Sequence, residues 1–319
     1  MSPHPHIAVI GNGVVGQRLV QRLELAGPSR RTVLIDTRVV DVGTTRLLDD
    51  VGVAVLTIPG DHHDVAVELI NRSIHVVSIG DDVDDVAAMI TESDRAQHNG
   101  VSLVIGAGMS PGLSGLVARY LAAQLATVDE IHLALHGTAG PACARQHHRV
   151  LSGTAVAFDD GEFVTARAGT GREISWFPEP VGAYDCYRAE LPAAAVLHEV
   201  FPGVSRITAR MSANRRDRLT SRLPMLAPPH REGGVGAIRV EVRGASDDGS
   251  RVTLIAGIAE MVGTASAATA GAYAEAIIDG LIPAGVTLPG DANIDTVGLL
   301  RRIERFGVRL QEFTGVPSA

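Results

Sequence analysis

An apolar run at residues 7–10 passes directly into Gly11-Asn12-Gly13-Val14-Val15-Gly16, and the segment that follows carries Val15, Leu19, Val20 and Leu23 at helical spacing. A second apolar run at residues 33–35 ends in Asp36, twenty residues past Gly16. Strand, glycine turn, helix, strand is a βαβ unit. It constrains the fold more than any other feature here, because two parallel strands need a crossover that packs back on their sheet. The three glycines have separate roles. Gly11 permits the turn, Gly13 lets a diphosphate come close to the backbone, and Gly16 lets the helix lie on the strand. The N–H groups that open the helix face the phosphate charge. Asp36 stands where a ribose would offer its hydroxyls, so the expected cofactor is NAD. Arg38, two residues on, could stack on adenine or meet a phosphate, which keeps NADP as the alternative. Asn12, Val14, Val15, Thr37 and Arg38 complete the expected nucleotide contacts.

The alternation continues. Residues 38–50 read as a short helix or loop, 53–58 as a strand, 64–70 as a helix, 74–79 as a strand, 83–98 as one helix and 102–105 as a further strand, a pattern that implies a parallel sheet covered on both faces. Ligands gather at the carboxyl ends of such strands. Those ends carry Ile58-Pro59, Gly80 and Gly106, all assigned to the cofactor, and then Met109-Ser110, assigned to substrate. Ser110 reads as an N-cap and Pro111 as the first helical residue. His62 and His63 read as an exposed loop pair.

From residue 130 the character changes. Residues 131–135 alternate, with His132, Ala134 and His136 on one strand face, and strands are expected at 150–158, 162–168, 207–211, 238–243 and 251–258, separated by turns such as Asp159-Asp160-Gly161. Helices are expected near 192–200, at 265–281 and at 294–305, with 285–290 as a loop. The expected architecture is therefore α/β: an N-terminal doubly wound Rossmann sheet over 1–129, an α+β, mostly antiparallel sheet domain over 130–262, and a helical segment, 263–319, returning to the first domain.

Length bears on this division, since 319 residues suffice for about two domains with separate cores. A net charge of −8 argues against nucleic acid as a partner, and no apolar run of membrane-spanning length is present. The N-terminal MSPHPH has neither a basic nor an apolar stretch, so a cytoplasmic location is expected. All 28 basic residues are arginine, which removes lysine Schiff-base chemistry. Cys143 and Cys186 are too few and too far apart for a metal knuckle, the His132/His136 pair lacks a third ligand, and no metal is expected.

Three passages together, GNGVVG, GAGMSPGLSGLVA and TASAATAGAYAEAIIDGLIPAGVTLPGD followed by RRIERFGVRL, resemble the saccharopine dehydrogenase-like oxidoreductases. The resemblance implies a Rossmann domain, an inserted sheet domain that binds substrate, and a homodimer. It also implies NAD(P)-dependent chemistry on C–N bonds of amino acids, polyamines and their carbonyl partners. Hydride transfer to an imine or carbonyl needs a proton donor within hydrogen-bond reach. The candidates are His147 and His148, placed just before a strand, and Tyr184 and Tyr187, which flank Cys186. Arg145 and Arg188 are the candidate clamps for a substrate carboxylate, because a guanidinium offers a bidentate fork. Two alternatives stay open: a redox-neutral enzyme that retains its NAD for group transfer or epimerisation, and a nucleotide-binding regulator without turnover.

Overall fold

A computed structural model describes residues 6–25, 31–225 and 228–313; the first five residues, which carry part of the targeting expectation, lie outside these. The first segment runs β1 (His6–Ile10), α1 (Val14–Leu25), β2 (Thr32–Ile35), β3 (Val51–Leu56), α2 (His63–Asn71), β4 (His75–Ser78), α3 (Val83–Ile90), α4 (Ser93–His98) and β5 (Ser102–Val104). The second runs α5 (Ser114–Ala122), β6 (Thr127–His136), α6 (Pro141–Val150), β7 (Thr154–Asp159), β8 (Glu162–Arg167), β9 (Glu173–Trp176), β10 (Ala183–Arg188), α7 (Ala193–Val200), β11 (Arg206–Ser212), α8 (Arg215–Thr220), β12 (Val235–Ala245) and β13 (Arg251–Met261). The third holds α9 (Val262–Ile278), β14 (Gly285–Thr287), α10 (Thr296–Arg305) and β15 (Gln311–Glu312). Two compact units result, Met1–Leu113 with Gly263–Gly307, and Ser114–Val262 with Val308–Ala319.

In the first unit six parallel strands lie in the order β14-β5-β4-β3-β1-β2. A strand covered on both faces must be apolar throughout, and Ile7, Ala8, Val9 and Ile10 are all fully buried. β1 sits between β2 and β3, so the chain reverses direction across the sheet there, and the crevice at such a switch point is where doubly wound sheets take ligands. Leu19 and Leu23 of α1 are buried as their spacing predicts; each such side chain stabilises by roughly 1.5–3 kcal/mol. α9 is buried on all sides, and small residues make that feasible: a Cβ on Gly271 would lie 3.1 Å from Leu19 Cδ1 and 3.2 Å from Phe306 Cζ.

In the second unit a nine-stranded sheet follows β15-β13-β12-β6-β11-β10-β9, with β7 pairing β11 and β8 pairing β7. Only β6 and β11 run parallel among its pairs; the others are antiparallel. Period-two alternation sends Ile131, Leu133, Ile207, Ala209, Val240 and Val242 into the core. α5 packs on β12, β13 and β6, while α7 packs on β7 and β11. No helix among the described residues is long and apolar enough to cross a membrane.

Several elements depart from expectation for local reasons. The helix expected over 83–98 is two helices, broken where Thr91 Oγ1 donates to the Ala88 carbonyl (2.7 Å) and competes with the backbone. Residues 285–287 form an edge strand on β5 and not a loop; three residues leave no periodicity to read. His147 and His148 lie within α6, whose signal was Pro141 at its start with Ala144, His148 and Leu151 one helical face apart. Ser110 has the extended backbone (φ −147°, ψ 137°) of a residue flanking a helix start, and the residues after it, from Pro111 on, run helically into α5.

Candidate functional site

The glycine turn shows what each missing side chain permits. Gly11 has φ +124°, and a Cβ there would sit 2.6 Å from the Thr57 carbonyl carbon; a Cβ on Gly16 would collide with the Gly11 carbonyl oxygen. Thr57 Oγ1 shares its hydrogen between the carbonyls of Gly11 (3.0 Å) and Ile10 (3.2 Å), pinning β3 to the turn. Gly13 differs: a Cβ there would meet nothing within 4 Å. Packing thus explains Gly11 and Gly16 but not Gly13, which opens on a space beside the first turn of α1. Val15 is buried beneath, and Val14 is half-buried.

At the end of β2 the Asp36 carboxylate accepts from Arg38 Nε (2.9 Å) and the Arg38 amide (3.0 Å) on Oδ1, and from Arg38 Nη2 (2.5 Å) and Asn12 Nδ2 (3.4 Å) on Oδ2. Asn12 in turn accepts from Gln17 Nε2 (3.1 Å). The Arg38 guanidinium, then its amide, hold the carboxyl well below the usual carboxylate range. A carboxylate offers about four lone-pair sites, and all four are engaged. Arg38 is therefore a partner of Asp36 rather than a side chain free for adenine or phosphate, and Thr37 is exposed beside it.

The loops after β3 and β4 are tied by a buried polar network. His62 is 1 % exposed, which corrects its reading as an exposed loop residue; His63 alone of the pair reaches the surface. His62 Nε2 donates to the Ile58 carbonyl (2.9 Å), so Nδ1 accepts from Ser78 Oγ (2.8 Å), and that oxygen accepts from the Gly80 amide (3.1 Å). Asp85 Oδ1 accepts from the amides of both histidines (2.9 and 2.8 Å). Burial pushes the His62 pKa down and keeps the ring neutral. Ile58, Pro59 and Gly80 are thus held at adjacent strand ends of one sheet. Gly106 follows β5, and Met109 is buried with its amide donating to Ser266 Oγ (3.1 Å).

In the second unit a cavity of about 1000 Å³ opens where β6 and β11 end, walled also by α6, β10 and α8. All four proton-donor candidates, His147, His148, Tyr184 and Tyr187, line it, although α6 and β10 are far apart in sequence. Arg145 and Arg188 are exposed and lie off its wall; the arginines on it are Arg172, Arg215 and Arg218. Arg172 Nε pairs with Asp185 Oδ2 (2.9 Å). Arg218 lays its guanidinium 3.9 Å from the Tyr187 ring centroid and donates from Nη1 to the Gly169 carbonyl (3.0 Å). His148 Nε2 is 3.2 Å from Thr220 Oγ1.

His136, the last residue of β6, also lines the cavity. Register explains its partner: Leu135 pairs with Met211, so the next residues, His136 and Ser212, stand side by side, with Nδ1 and Oγ 2.8 Å apart. The Tyr184 ring lies 4.1 Å from the His136 ring, and burial lowers the imidazole pKa, leaving it neutral near pH 7. His132 is engaged elsewhere, by Glu130 (2.9 Å) and Thr208 (2.8 Å). Four residues of strand put about 13 Å between the two histidines, and no cluster of metal-ligating side chains occurs among the described residues. Cys186 is fully buried, with its thiol pushed up to about 11 by desolvation, a setting that leaves a thiol inert.

Sequence reasoning missed His136 as a cavity residue, together with Ser212, Arg172, Arg215 and Arg218. The one signal was the basic run Arg215, Arg216, Arg218 and Arg222, and nothing local said which of these faces inward.

No family model matches the sequence, and no curated protein matches it. Among solved structures, apo histidine-tagged saccharopine dehydrogenase (L-Glu forming) from Saccharomyces cerevisiae matches with a TM-score of 0.68 at 12 % identity, over 97 % of this chain and 99 % of that one. A meso-dapdh mutant with DAP from Clostridium tetani matches with a TM-score of 0.51 at 14 % identity, over 92 % and 95 %. At such identities the likeness is one of fold, and the fold is the one that the motif resemblance implied.

Proposed function

We propose that this protein is an NAD(P)-dependent oxidoreductase that transfers hydride at a C=N, C–N or carbonyl centre of a small amino-acid- or polyamine-like substrate. The observation that carries the proposal is the open space at Gly13, flanked by two glycines that packing requires and followed by an acceptor at the end of β2. Gly11, Gly13 and Gly16 would hold the diphosphate and Asp36 the adenosine ribose, with Arg38 or Asn12 giving up part of the carboxylate. NAD is the favoured form, since a carboxylate repels a 2′-phosphate. The nicotinamide supplies or accepts the hydride. The fold shared with saccharopine dehydrogenase supports the reaction class.

The chain's own residues handle substrate and proton. The second unit would bind the substrate in its cavity, and the candidates for the proton are Tyr184, Tyr187, His147, His148 and the neutral His136, whose ring is oriented by Ser212. A neutral imidazole takes a proton from an ammonium in the oxidative direction and returns it in the reductive one. A homodimer in the cytoplasm belongs to the same reading, and light scattering of the purified protein tests the dimer. The central test is stoichiometric: NADH consumed one for one by an imine formed from an amino acid and a keto acid supports the proposal. Nucleotide that binds without turnover across amines and imines would support the regulator reading, and nucleotide bound tightly and never released would support the redox-neutral one.

A further inference from the structure

We infer that the cavity of the second unit takes an anionic substrate, a carboxylate carrying a bulky apolar or aromatic group, and not a polyamine. This rests on the function proposed above and narrows it.

Charge is the first reason. The wall carries three arginines against two carboxylates, Asp185 and Asp217; Arg172 is neutralised by Asp185, whereas Arg215 makes no hydrogen bond or ion pair among the described residues. Arg218 is fixed by the Tyr187 ring and the Gly169 carbonyl, yet its Nε is buried and has no hydrogen-bond partner among the described residues. A buried donor without an acceptor is costly to leave unmade, and the groups that satisfy a guanidinium best are carboxylates. A polyamine would bring further cations to this wall.

Size and surface are the second reason. About 1000 Å³ lies at the upper end of the range of pockets for drug-sized ligands. A free amino acid would fill a small part of it. Leu151, Met211, Ile174 and the rings of Tyr184 and Tyr187 make much of the wall apolar, and apolar lining favours a ligand that covers it.

The chain carries its own reporter, since Trp176 is the only tryptophan and lies on β9 two residues from Ile174 of the wall. The full-length protein, without nucleotide, is titrated with 3-phenylpropionate, propionate and spermidine, followed by Trp176 emission and by heat. 3-Phenylpropionate is expected to bind about tenfold or more tightly than either of the others. Arg215→Gln and Arg218→Lys are each expected to weaken it about fivefold or more; Arg215 is exposed, so its replacement leaves the fold intact. Three ligands bound within twofold of one another, tighter binding of spermidine, or a preference untouched in both variants would overturn the inference. NAD affinity measured on the same preparations separates the two readings. Nucleotide bound with no carboxylate preference removes this inference alone, and carboxylate bound with no nucleotide removes the proposed function alone.

Discussion

The glycine turn of the first unit is spelled by six consecutive residues and shaped by backbone, whereas the cavity of the second unit is assembled by side chains from β6, α6, β10, β11 and α8. The turn has no slack where it is packed: the Gly11 and Gly16 positions leave no room for one extra carbon. The cavity has many walls, each contributing a little. A site made of backbone concentrates its sensitivity in single positions, and a site made of side chains spreads it. Single substitutions should therefore act unequally in the two regions.

The largest effect is expected at Gly13. Gly13→Val should weaken NAD binding by about 100-fold while leaving the melting temperature unchanged, because its side chain enters open space; calorimetric titration beside a thermal melt checks both. Gly11→Ala should do the reverse and lower the melting temperature, its Cβ pressing on the Thr57 backbone. If both variants lose stability alike, the space at Gly13 is a packing feature and the contrast collapses.

Next comes Asp36→Ala, expected to raise the NAD dissociation constant about tenfold; a change within twofold would remove Asp36 from the site. Arg38→Ala should free the two acceptor positions that its guanidinium holds on the same carboxylate for ribose, so NAD affinity should hold or rise as NADP affinity falls. In the cavity, single replacements should cost less: Tyr184→Phe or His136→Gln should lower kcat about fivefold each, with kcat falling more than KM rises. A hundredfold loss from either would mean that one group dominates there too.

The smallest effect concerns pH. Desolvation lowers the pKa of His62 and His75 in the first unit and of His136 in the second. Below about pH 6.5 the unfolded chain binds these protons more readily than the folded one, so the stability they confer is present above that pH and fades below it. His63, held up first by its hydrogen bond to Glu92, runs the opposite way and loses its contribution as pH rises through its folded pKa. Thermal melts between pH 8 and 5 should show stability falling on the acid side, less steeply in His62→Gln.

The same contrast decides what could be read from the chain alone. The parallel sheet and its turn were legible because apolar runs, glycines and Asp36 carry their meaning within a few residues. The short edge strand at Gly285–Thr287 and the break at Thr91 were not, since each depends on one hydrogen-bonding choice. In the second unit the alternation of His132, Ala134 and His136 was visible, but the parallel register that seats Ser212 beside His136 is a property of two strands 76 residues apart. Arg215 and Arg218 reach the cavity wall through the path of the chain after β11, for which no local pattern exists.

The long buried helix of small residues has a consequence for biogenesis. A ribosome releases β1 to β5 early, but α9 and β14 belong to that same unit and emerge only after the strands β6 to β13 of the second unit have been made. Since folded units generally form as their sequence becomes complete, the nascent first unit must wait, with Leu19 lacking its Gly271 contact and β5 an open edge. Translation that stops after Met261 would leave an apolar surface and an unpaired strand exposed, a product marked for chaperones or aggregation rather than a shorter working protein.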